Sequence, residues 1–168
     1  DNSSVEVDQT AITLSSLTIA SNNNNDTSLA TTGDVVTLTI TSTEDYTSAP
    51  TVVFTGDQDN DVAVTANNND ASIYTATYTV AANDTNGPLA FTVTSTDAAG
   101  NESTNTALIN DDTGVTIDTG APELSSVSIA SNGNSDGTLA KASQEVTLTF
   151  TSNEAIGTPT VTFNSGGA

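Results

Sequence analysis

Apolar and polar residues alternate one by one along most of this chain. From Val36 the order is Val36, Thr37, Leu38, Thr39, Ile40, Thr41, with Thr between the apolar side chains. The same period sets Leu17 and Ile19 against Ser16 and Thr18, and it links Val62 with Val64. It runs through Tyr74, Ala76, Tyr78 and Val80, with Thr75, Thr77 and Thr79 on the other side. It returns at Leu89, Phe91 and Val93, and again at Val115 and Ile117. Successive side chains of a strand point to opposite faces, so this period predicts strands with one buried and one solvated face. Thr and Val, branched at Cβ, suit such a pleated surface. No window of about 11 residues repeats at the helical period. Strands are expected near 14–20, 35–41, 51–55, 62–66, 72–80, 88–96 and 104–110, with a short extension at 115–118. The expected core is Leu17, Ile19, Val36, Leu38, Ile40, Phe54, Tyr78, Phe91 and Val93.

The pattern is also duplicated. LSSLTIASNNNNDTSLA from Leu14 matches LSSVSIASNGNSDGTLA from Leu124, and VTLTITSTE from Val36 matches VTLTFTSNE from Val146. Both pairs lie 110 residues apart. After a one-residue gap PTVVF from Pro50 matches PTVTF from Pro159, and upstream Val7-Asp8 matches Ile117-Asp118. This is a tandem array. Residues 1–8 read as a linker or the end of a preceding repeat, 9–118 as one complete repeat, and 119–168 as the first three strands of the next. Seven short antiparallel strands in about 100 residues predict an all-β, immunoglobulin-like sandwich. Three strands cannot close two sheets. Asp1 is not a natural start residue, and truncation is the expected reason for the incomplete copy. Completion by strands donated from other protomers is the alternative.

Composition narrows the chemistry. The chain has 21 acidic residues, one Lys or Arg, no His and no Cys, for a formal net charge of −20. A nucleic-acid binder needs cations to displace counterions, and Lys141 stands alone. Anionic membrane surfaces are disfavoured likewise. No apolar run approaches the roughly 20 residues that span a bilayer, and the first residues show no signal-peptide pattern. Without Cys or His there is no disulfide, no thiolate nucleophile and no imidazole ligand. The remaining oxygen donors suit hard cations, above all Ca²⁺.

The run TSTDAAGNES, Thr94 to Ser103, followed by VTIDTGAP, Val115 to Pro122, resembles the tandem bacterial Ig-like repeats of giant cell-surface adhesins, the RTX-type adhesins of Gram-negative bacteria among them. The resemblance covers essentially the whole chain. It implies an extracellular extender module, stacked with neighbouring repeats of the same chain, that holds an adhesive domain away from a cell and serves adhesion and biofilm formation. It also implies calcium at the junctions between repeats. Carried over residue by residue, the motif points to Asp8 in the incoming linker, Glu44 after the second strand, and Asp97 and Asn101 before the last. Asp118 and Glu154 repeat Asp8 and Glu44 at the next junction.

A further candidate is the loop Asp57, Asp59, Asp61, whose acids alternate as in calcium loops. It is not an EF-hand, because Val62 stands at position six and Asn68 at position twelve of that register. Each of these acids has a plainer reading as a turn residue capping backbone groups. Three other functions compete with the spacer. In a ligand- or glycan-binding module, Tyr46 is the one aromatic expected to be free. In a filament, strand exchange completes the second unit. Enzymatic function is not expected, since the carboxylates lie on polar loops rather than around a cleft.

Overall fold

A computed structural model of the chain describes residues 4–55, 62–67, 70–111 and 114–164. The described residues contain strands and no helix, and the chain divides into two compact units, 1–120 and 121–168.

In the first unit β1 (Leu14–Ser21), β3 (Val35–Ser42), β6 (Asp70–Thr79) and β5 (Ala63–Asn67) form one antiparallel sheet in that spatial order. A second antiparallel sheet contains β4 (Thr51–Thr55), β8 (Ala90–Thr96) and β9 (Glu102–Asn105). Their apolar faces share one core, so the unit is a β-sandwich. All nine residues expected in that core are buried. The rings of Phe54 on one sheet and Tyr78 on the other meet at 4.9 Å. The outer face of the larger sheet is a ladder of β-branched pairs, Thr37 opposite Thr77 and Thr39 opposite Thr75.

Strict alternation would turn Leu14 outward if Leu17 faces inward. A bulge between Leu14 and Ser16 resets the phase, and both leucines are buried. The extra residue, Ser15, donates its hydroxyl to Thr41 O at 3.2 Å.

The last long strand departs from expectation. Instead of spanning 104–110 it ends at Asn105, and the chain crosses to the other sheet. There Ile109 exchanges two backbone hydrogen bonds of 3.0 Å with Leu17. Asn110 donates its amide to Ser15 O at 2.8 Å, and Asp111 accepts from Ile19 N–H at 3.0 Å. Asn110 turns the chain at φ 61, a conformation Asn tolerates. The physical reason is the outer edge of β1, whose backbone groups would otherwise stand unpaired. Three residues of another segment cap them.

A small third sheet closes one end. Its central strand β10 (Thr116–Ile117) pairs in parallel with β2 (Leu29–Ala30) and antiparallel with β7 (Gly87–Pro88). Val115 and Ile117 are thereby buried.

The second unit contains β11 (Leu124–Ser131) and β12 (Val146–Ser152), an antiparallel pair. Its register repeats that of β1 and β3 residue for residue at the offset of 110, including the bulge, now between Leu124 and Ser126. The third strand expected over 159–163 is not formed. Its counterpart β4 is held by hydrogen bonds to β8 and by ring packing on Tyr78. No described residue of the second unit supplies either.

Candidate functional site

Of the expected calcium residues, Asp8, Asp97 and Asn101 lie at one end of the first sandwich and Asp118 at the other. At one end, the turn between β8 and β9 is built on Asp97. Its Oδ1 accepts the backbone N–H groups of Ala99 and Asn101, both at 2.8 Å, and its Oδ2 accepts the Asn101 side-chain amide at 2.8 Å. Gly100 completes the turn at φ 92. The Asn101 amide, helped by these backbone donors and opposed by partial desolvation, holds the Asp97 carboxyl below the usual carboxylate range. The same amide donates to Asp8 O at 3.2 Å, and a shallow hollow lined by Glu6, Val7, Asp8, Ala98 and Ala99 lies beside it. The incoming segment therefore rests on this turn.

Asp8, Asp97 and Asn101 are brought together, but not as a ligand set. Asp8 Oδ1 accepts the Thr10 N–H at 2.9 Å and caps its own turn. Glu44 offers its backbone carbonyl to the Ser42 hydroxyl and leaves its side chain exposed. Among the described residues, no group of three or more Asp or Glu side chains is placed to hold a metal ion. As arranged, the Asn101 amide occupies the place between Asp97 and Asp8 O.

At the other end, Asp118 donates its N–H to Ala30 O at 2.8 Å and accepts the Gly120 N–H at 3.0 Å, repeating the Asp8 turn. Asn86 accepts both the N–H and the hydroxyl of Thr119, at 3.0 and 2.8 Å. The outgoing segment is thus clamped from Asp118 to Gly120. Glu154 is half-buried in the second unit, and its N–H reaches Ser152 Oγ at 3.4 Å. Asp57, Asp59 and Asp61 lie outside the described residues, as does Asp112.

Tyr46 is not free. It is buried, its hydroxyl lies 3.1 Å from Ser95 Oγ, and its ring meets Tyr74 edge-on at 5.1 Å. Desolvation pushes its phenol up. An aromatic in a loop carries no period, so alternation does not place Tyr46 in the core. Asn86 was missed as well. An Asn-Gly pair signals a turn, but nothing local says which distant N–H it will accept.

The two ends are distinct places on the sandwich. The Asp97 turn follows the last residue of β8, while Asn86 precedes β7 and the first residue of β8. A seven-residue strand separates them by roughly 20 Å. No protein family, curated protein or solved structure matches the chain.

Proposed function

We infer that the chain is a structural spacer, an immunoglobulin-like extender module of a cell-surface adhesin. The observation that carries this reading is the path of the chain through the first unit. It arrives against the Asp97 turn at one end of β8 and leaves through the Asn86 clamp at the other. A unit entered and left at opposite ends adds its own length to an array, which is what an extender does. The duplicated hairpin register supports a repeat of one module. The strand orders β1-β3-β6-β5 and β4-β8-β9 support the immunoglobulin-like assignment, being the four-plus-three arrangement of that fold.

The test is small-angle scattering on one, two and three tandem copies of residues 9–118. The maximum dimension should rise by a constant increment per copy. A radius of gyration that grows like that of a compact globule would sink the spacer.

Calcium belongs to the proposal in a restricted form. At the entry end it would replace the Asn101 amide between Asp97 and Asp8. Adding about 10 mM Ca²⁺, roughly tenfold or more above the dissociation constants of extracellular modules, should then raise the melting temperature, and Asp97→Asn should abolish the rise. If calcium leaves the melting temperature where it was, Asp97 is a turn cap and the spacer works without metal.

A further inference from the structure

Two hairpins of nearly identical sequence differ in what lies on them. On β1 and β3 the inward residues Leu17, Ile19 and Val36 are buried at 0, 6 and 0% exposure. Their counterparts Val127, Ile129 and Val146 are 58, 62 and 41% exposed. The backbone edge differs too. Ser15 O, Leu17 and Ile19 N–H are capped by residues 109–111, and no described residue caps Ser125, Val127 or Ile129 in that way.

We propose that the apolar face and outer edge of β11–β12 form a docking surface for one occupant, a polypeptide with the strand pattern of residues 55–120. The first unit shows the fit. Side chains from β4 and β8 pack on the face of the same hairpin, β6 pairs along β3, and Ile109 to Asp111 supply the partners of the β1 edge. A second, independent sign lies in residues 159–163. Thr-Val-Val-Phe, residues 51–54, lies in the paired strand β4 with β8 beside it, while Thr-Val-Thr-Phe, residues 160–163, is unpaired where no equivalent of β8 lies among the described residues. Its Val161 and Phe163 are 44 and 57% exposed, against 7 and 3% for Val52 and Phe54. Face, edge and unformed strand thus lack the same partner. A two-stranded hairpin is marginal alone in water, so docking supplies its missing stability. This inference concerns the surface and holds whether or not the array acts as a spacer.

Two chains test it. In the first, a second copy of residues 55–120 follows Phe163 of the otherwise intact protein. A second cooperative unfolding transition should appear, with exchange of the Val127 and Ile129 amides slowed by at least about a hundredfold. Val127→Asp should abolish that transition and leave the first unit's unchanged. In the second chain, residues 124–163 replace residues 14–54 within the first unit, and this chimera should fold cooperatively. Unprotected Val127 in the first chain together with an unfolded chimera would overturn the proposal, because the hairpins would then not be interchangeable. Sedimentation of the unaltered chain as a dimer that Val127→Asp dissociates, with the first-unit amides equally protected in dimer and monomer, would also overturn it, by showing a second hairpin as the occupant.

Discussion

The β1–β3 hairpin and the β11–β12 hairpin share sequence, register and even a bulge, yet one is core and the other is surface. Local sequence is therefore sufficient for the pairing of adjacent strands and insufficient for burial. Alternation and Thr-rich pairing act within the hairpin, so both copies form it. Burial needs a second sheet, which arrives from residues far along the chain. The contrast isolates the tertiary contribution with the local chemistry held nearly constant.

The largest test of that difference uses one substitution at two equivalent places. Ile19→Ala removes a buried side chain from the packed core and should destabilise the first unit by about 3 kcal/mol. Ile129→Ala changes the same residue at 62% exposure and should alter stability by no more than about 0.5 kcal/mol. Denaturant midpoints with unchanged slope would measure both. Equal effects would mean that the two hairpins are not in different environments, and the comparison would fail.

A smaller effect is expected at the edge. Asp111→Ala takes away the carboxylate that accepts the Ile19 N–H, leaving a partly buried donor without that partner. A hydrogen bond to a charged group contributes about 1.5–3 kcal/mol, and the low end suits this half-exposed position. Hydrogen exchange should locate the change at the Ile19 amide, while the equivalent Ile129 amide, which no described residue caps in this way, should exchange quickly in both proteins. Slow exchange at Ile129 in the unaltered chain would show that its edge is covered.

Much of this was legible in the residues. Period-two alternation identifies Leu17, Ile19, Val36, Leu38, Ile40, Tyr78 and Val93 as core because a strand's faces are set by local geometry. What was not legible depends on distant partners. The strand expected over 104–110 stops early because the edge of β1 draws Ile109 to Asp111 across to it. Residues 159–163 have the sequence of a strand, but no neighbour among the described residues makes them one. At the candidate site, the DAAGN run places Asp97 and Asn101 in one turn with Asp8 beside them, while the Glu44 side chain is left exposed. The acids alone could not show that the Asn101 amide would already satisfy the Asp97 carboxylate. Asn86, which holds the outgoing segment, is a neutral residue that no search for charge would select.

The smallest expected effect concerns a place where the hairpins should agree. Asp26 accepts the N–H and hydroxyl of Ser28 at 2.9 and 2.7 Å, and Asp136, its equivalent, accepts those of Thr138 at 3.2 and 2.7 Å. In both, the hydroxyl bond and then the backbone bond lower the carboxyl pKa. A carboxyl whose folded pKa is depressed binds protons less readily in the folded state, so its contribution is present above the unfolded value and lost as pH falls. The window opens near the ordinary Asp value of about 4 and extends down through the lowered folded values. Both carboxylates are solvent-exposed, so the effect is small and screened by salt. Nuclear magnetic resonance titration should show both carboxyls protonating below the ordinary Asp value, and Asp26→Asn should weaken the acid sensitivity of the first unit's midpoint. The turn is local and needs no second sheet, so its chemistry should be the same in the covered and the uncovered hairpin. If Asp136 titrates at the ordinary value while Asp26 does not, the turn too depends on the sandwich above it, and the division between local pairing and distant burial has been drawn in the wrong place.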